Sequence, residues 1–163
     1  MTETPIILTT HGADETMALG ERMGRVLEPG DVLALVGQLG AGKTYLVKGV
    51  AKGLGVANER AVNSPTFVLV NEYTGRAAIH HLDAYRLGSS DELLDLGFEE
   101  MCADESIAIV EWADRTPDAI PSRALWIHID VVGDTDRRLR LRTQNTSLMK
   151  RLIDSGLTSV ADA

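Results

Sequence analysis

The 163-residue chain contains one cysteine, Cys102, so no intrachain disulfide can form. That fits a reducing cytosol. Positive charge is scarce too: 16 Lys and Arg against 24 Asp and Glu leave a net charge of -8. No basic run occurs, and aromatic residues are only 4 % of the chain. Tight direct binding of nucleic acid needs basic side chains that displace counterions from phosphates. Any role beside nucleic acid is therefore expected to run through a partner that supplies the basic surface. No apolar run approaches membrane-spanning length. The opening MTETPIILTT lacks the basic region and long apolar stretch of a signal peptide. A cytoplasmic protein without membrane contact is expected.

The length suits one domain with a real core, residues 1–163, with order expected to fade from about residue 156. Strand-like and helix-like segments alternate, which predicts an α/β fold with a central, mostly parallel sheet and helices on both faces. Pro5 to Leu8 reads as a short strand and Asp14 to Leu27 as a helix stopped by Pro29-Gly30. Val32 to Val36 is a continuous apolar run, as in a strand buried on both faces. A helix over Lys43 to Leu54, closed by Gly53 and Gly55, follows a glycine-rich loop. Thr66 to Glu72 and Ala77 to Leu82 flank a turn and predict an antiparallel hairpin beside the parallel sheet. Ser90 to Leu96 reads as a short helix, and Ile107 to Val110 as a second buried strand. Leu125 to Val131 and Leu139 to Arg142 read as late strands, and Thr146 to Ile153 as a terminal helix. Arg137, Arg138, Arg140 and Arg142 are expected on the solvated face of the last strand.

The loop Gly37-Gln38-Leu39-Gly40-Ala41-Gly42-Lys43-Thr44 fits the phosphate-binding pattern G-x-x-x-x-G-K-[ST]. Gly40 and Gly42 let the backbone adopt positive φ and approach phosphates closely. Amides from Gly40 to Thr44 converge on the phosphate oxygens at a helix N-terminus. Lys43 reaches the β- and γ-phosphates, and the Thr44 hydroxyl ligates Mg²⁺. No NKxD guanine-specificity motif is present, so ATP is expected rather than GTP. No arginine-rich lid follows the central strands, as a small-molecule kinase would carry. Kinase and nucleotide-dependent switch remain the alternative readings.

A hydrolytic MgATP site also needs a carboxylate at the end of a neighbouring strand. Glu111 ends the apolar run Ile107 to Val110, although Asp is common there. Asp83 ends another strand, in HHLDAYRL, where it could orient water, hold Mg²⁺, or simply close a turn. Thr66 lies where switch threonines sense Mg²⁺ and the γ-phosphate. His80 and His81 look like a metal pair, but adjacent strand residues point to opposite faces, so supporting roles are expected. Trp112, directly after Glu111, could pack beside a nucleotide or in the core.

Together NSPTFVLVNEY, HHLDAYRL, LGFEE and IVEWADR, placed after GQLGAGKT, resemble the bacterial tRNA threonylcarbamoyladenosine biosynthesis ATPases, the TsaE (YjeE) family. The resemblance covers most of the chain. It implies a small P-loop fold and weak ATP hydrolysis that matters in a complex with the paralogous pair TsaB and TsaD. That pair transfers a threonylcarbamoyl group to the adenosine beside the anticodon of tRNA. Carried over by motif, Lys43 and Thr44 hold phosphate and Mg²⁺, Thr66 is the switch threonine, Asp83 the catalytic carboxylate and Glu111 a Mg²⁺ ligand. Trp112 lies beside the nucleotide, and Thr10 near the base, with Thr9 equally available. Tyr45 stands where the family often has Thr, past the ligand positions, and little effect is expected. Gln38 replaces a common Asp, and losing that negative charge is expected to tighten nucleotide binding slightly. Partners are expected to meet the switch hairpin around Ser64 to Tyr73.

Overall fold

A computed structural model describes residues 4–58, 62–63, 70–103 and 105–159. Seven strands form one sheet in the order β1-β7-β6-β2-β5-β4-β3. They are β1 (Ile6–Thr10), β2 (Val32–Val36), β3 (Val70–Thr74), β4 (Ala78–Asp83), β5 (Ser106–Glu111), β6 (Leu125–Val131) and β7 (Arg137–Thr143). The four central strands, β6, β2, β5 and β4, run parallel. Antiparallel strands close both edges: β3 on β4, and β7 then β1 beyond β6. The expected hairpin is there from Val70 on, its first strand running to Thr74, while residues 66–69 lie outside the described residues. The second antiparallel edge was not foreseen.

The helices are α1 (Ala13–Val26), α2 (Lys43–Gly53), α3 (Ser90–Asp95), α4 (Phe98–Met101) and α5 (Thr146–Asp154). The short α4 was not expected. Strand alternation divides the core in two. Leu33, Leu35, Ile79, Ile107 and Ile109 meet α1, α2 and α5 on one face. Val32, Ala34, Leu82, Ala108 and Val110 meet Leu93 and Phe98 of α3 and α4 on the other. Among the described residues no helix is long and apolar enough to cross a membrane. Cys102 is buried among the second set, and burial pushes its thiol up to about 11.

Helices α1 and α2 touch backbone to backbone. Gly20 and Gly24 face Gly49 and Gly53, and a Cβ on Gly49 would lie 2.0 Å from the Met17 carbonyl oxygen. Gly53, expected to close α2, belongs to this contact; Gly55, with φ 86°, makes the left-handed turn that follows the helix.

Helix α5 is tied down by Arg151. Its Nη1 donates to the Val26 carbonyl at 2.6 Å and to Asp31 Oδ2 at 2.9 Å, and Nη2 donates to Asp31 Oδ1 at 3.3 Å. Asp31 is buried, so Arg151→Ala would leave a carboxylate without its counter-charge. The expected loss is about 3 kcal/mol, the lower end for breaking a buried pair. Urea denaturation measures it, and a midpoint equal to wild type would refute this role for the pair. Packing continues beyond residue 156: Leu157 is buried, and Ile7 N–H donates to Ser159 Oγ at 2.8 Å.

Candidate functional site

The phosphate loop joins β2 to α2, so its amides sit at the N-terminus of an 11-residue helix. Gly40 and Gly42 have φ of 80° and 108°, the left-handed conformations expected of them. Lys43 is almost fully buried at the first position of α2. Its Nζ donates to the carbonyl oxygens of Gly37 and Gln38 and stands 4.0 Å from the Trp112 ring centre. Burial holds its pKa below the usual lysine value, against the upward pull of Glu111, Asp83 and Asp114. The amine thus rests on loop carbonyls, with the negative charges of Glu111, Asp83 and Asp114 acting on it.

Asp83 and Glu111 end adjacent parallel strands and are direct partners in the β4–β5 register. Both are buried, 4 % and 2 % exposed, on the sheet face that carries α2. They line a cavity of about 390 Å³ with Leu39, Gly40, Gly42, Lys43, Thr44, Tyr45, Tyr85 and Trp112. One Asp83 oxygen, Oδ1, accepts from Tyr85 N–H at 2.8 Å. The turn role and the cavity role therefore coexist. Glu111 Oε2 is held by His81 at 2.6 Å.

Two carboxylates beside a threonine hydroxyl suit Mg²⁺, which is usually held by one or two carboxylates together with substrate phosphates and water. Among the described residues no cluster of three or more His, Cys, Asp and Glu offers a complete protein cage.

Trp112 is the sole non-glycine residue with positive φ among those described, at 57°. Left-handed backbone is costly for an L-residue and persists where its surroundings impose it. Here it sets the ring over Lys43 and 4.9 Å from the Tyr85 ring.

A second cavity, about 210 Å³, lies on the α1 side of the loop, lined by Gly12, Ala13, Thr16, Ala41, Tyr45 and Arg137 among others. Thr10 does not line it; it is buried, its hydroxyl 2.7 Å from that of Thr16, which does. Thr9 is exposed on the other side of β1. Gln38 and Ala41 lie in the loop, Ala41 buried with its N–H donating to the Gln38 carbonyl at 3.1 Å. Gln38 lines a separate cavity with His128, Asp114 and Asp130. Thr66 lies outside the described residues.

Three residues stand where the sequence reading did not put them. Tyr45, expected past the ligand positions, lines both cavities beside the loop. Tyr85 was not singled out. Arg137 is not on the solvated face: its Nε donates to the Ala41 carbonyl at 3.1 Å and its Nη2 to that of Gly40 at 3.4 Å, bracing the loop. It has the parity of Leu139 and Leu141, so strand alternation already placed it on the core side.

The family model described as threonylcarbamoyl adenosine biosynthesis protein TsaE matches residues 10–139. The tRNA threonylcarbamoyladenosine biosynthesis protein TsaE of Treponema pallidum is 38 % identical over 130 residues, covering 80 % of this chain and 95 % of its own. The protein of the same name from Bacillus subtilis is 41 % identical over 131 residues, covering 80 % of each. Among solved structures, YdiB of Bacillus subtilis superposes with a TM-score of 0.81 at 30 % identity, over 95 % of both chains.

Proposed function

The chain belongs to the TsaE family, and on that premise we propose that it binds and hydrolyses MgATP as the ATPase subunit of the tRNA threonylcarbamoyladenosine-modifying machinery. The observation that carries the hydrolytic part is the pairing of Asp83 with Glu111, in register, in the cavity that also holds Lys43 and Thr44. A phosphate loop alone accounts for nucleotide binding. Two buried carboxylates at its edge account for a metal and a water.

Loop amides and Lys43 bind the β- and γ-phosphate oxygens and offset their charge. Thr44 and Glu111 would hold Mg²⁺, which neutralises charge developing on the phosphates when bound. Asp83, whose Oδ1 also accepts from the Tyr85 N–H, positions the attacking water. Thr66 is proposed as the switch threonine that reports the γ-phosphate. Trp112, Tyr85 and Tyr45 wall the cavity and limit water access. The base is assigned to the smaller cavity lined by Thr16, whose hydroxyl contacts that of Thr10. The partners proposed are TsaB and TsaD, with tRNA reached only through them, because this chain carries a net charge of -8.

Phosphate release from ATP, measured with and without the TsaB–TsaD pair and alongside threonylcarbamoyl transfer to tRNA, tests the reading. Slow release alone that rises with the pair, accompanied by modified tRNA, is expected. Release indifferent to the pair, together with phosphorylation of a metabolite, would favour a kinase instead.

A further inference from the structure

His81 is fully buried and faces Glu111 across the β4–β5 pair. A carboxylate only accepts, so the 2.6 Å contact has Nε2–H donating to Glu111 Oε2. In the neutral ring Nδ1 is then an acceptor, and the Tyr73 hydroxyl stands 3.1 Å from it. The same hydroxyl is 3.3 Å from the Asn63 carbonyl oxygen, which also accepts from Asn71 Nδ2 at 3.1 Å. A continuous polar chain therefore runs from the backbone of Asn63 through Tyr73 and His81 to Glu111. Its His81 and Glu111 members are shut off from solvent.

We propose that His81 is a positioning residue that fixes the Glu111 carboxylate for Mg²⁺ and, through Tyr73, links that orientation to the backbone at Asn63. The proposal rests on the MgATP reading above. With Oε2 committed to His81, Glu111 keeps Oε1 for the cavity it lines. Removing the imidazole frees the carboxylate to rotate and leaves it without its buried donor. Such supporting hydrogen bonds are worth about 10- to 100-fold in metal affinity. The Tyr73 hydroxyl has one proton and two acceptors, so the strength of its bond to His81 depends on where the Asn63 carbonyl lies. Binding of the cation and the position of that backbone are coupled through this choice.

The test compares affinity for a non-hydrolysable ATP analogue with and without Mg²⁺. His81→Leu is expected to lose about tenfold of the Mg²⁺-dependent affinity while keeping the Mg²⁺-free affinity. His81→Gln, which retains an N–H donor, is expected to recover most of it. Tyr73→Phe is expected to shift the Mg²⁺ midpoint by about threefold, a share of the His81 effect. An unchanged Mg²⁺ response in folded His81→Leu protein overturns the proposal, as does an equal loss with and without the ion. If the leucine variant does not fold, Tyr73→Phe decides, and an unshifted midpoint overturns the proposal. A wild-type protein whose nucleotide affinity ignores Mg²⁺ would instead defeat the MgATP reading itself.

Discussion

Lys43→Ala is expected to abolish useful ATP binding, with a loss of about 3 kcal/mol or more, roughly a hundredfold or greater in affinity. The magnitude follows from what the amine does. It would donate charge-assisted bonds to two phosphates in a cavity where burial strengthens each of them. The substitution also acts on the free protein. The carbonyls of Gly37 and Gln38 lose their donor, and Asp83 and Glu111 lose a favourable positive charge. A modest drop in thermal stability should therefore accompany the loss of binding, and calorimetric titration at a temperature where the variant is folded separates the two. Near-wild-type affinity in the folded variant would contradict the assignment of the loop.

Gly49→Ala is expected to damage the fold as severely as Lys43→Ala damages binding. The new Cβ would fall 2.0 Å from the Met17 carbonyl oxygen and 2.9 Å from the Glu21 nitrogen, both backbone atoms in α1. Neither can rotate aside, so the helices must separate. Alanine regains about 1 kcal/mol of helix propensity, but overpacking against backbone outweighs it. A net loss of about 3 kcal/mol is expected, or a fall of roughly 10 °C in Tm for a chain of this size. Because α2 starts at Lys43, the displacement also reaches the loop, and ATP affinity should fall with stability. Gly12→Ala is the comparison: its Cβ meets nothing within 4 Å, and as an N-cap change it should cost far less Tm than Gly49→Ala. An unchanged Tm for Gly49→Ala would mean that the two helices are not packed so closely.

What could be read in advance was mostly local. The apolar strand, glycine-rich loop and following helix are contiguous, so β2, Gly37 to Thr44 and α2 emerged in place. Asp83 and Glu111 were found because each ends an apolar strand, and strand ends are where an α/β sheet puts its chemistry. Their adjacency was not legible. It depends on β4 pairing with β5, and nothing in either segment names its partner. The His81–Glu111 contact spans 30 positions and arises from the same pairing. The β7–β1 edge was missed because two strands far apart in sequence carry no mutual signal. The paired glycines of α1 and α2 were visible as spacings, but only the crossing of the helices shows that they face each other. Arg137 is different: the alternation that reveals it was available, and four nearby arginines drew it into a surface reading.

Asp83→Asn tests most directly whether this loop serves hydrolysis as well as binding. Asparagine keeps the size of the side chain and an oxygen for Tyr85 N–H, but removes the negative charge. The measurement is ATP affinity by calorimetry alongside phosphate release in the presence of TsaB and TsaD. Affinity within a few-fold of wild type and turnover reduced by about a hundredfold or more is the expected result. Phosphate release at the wild-type rate from Asp83→Asn protein would contradict it.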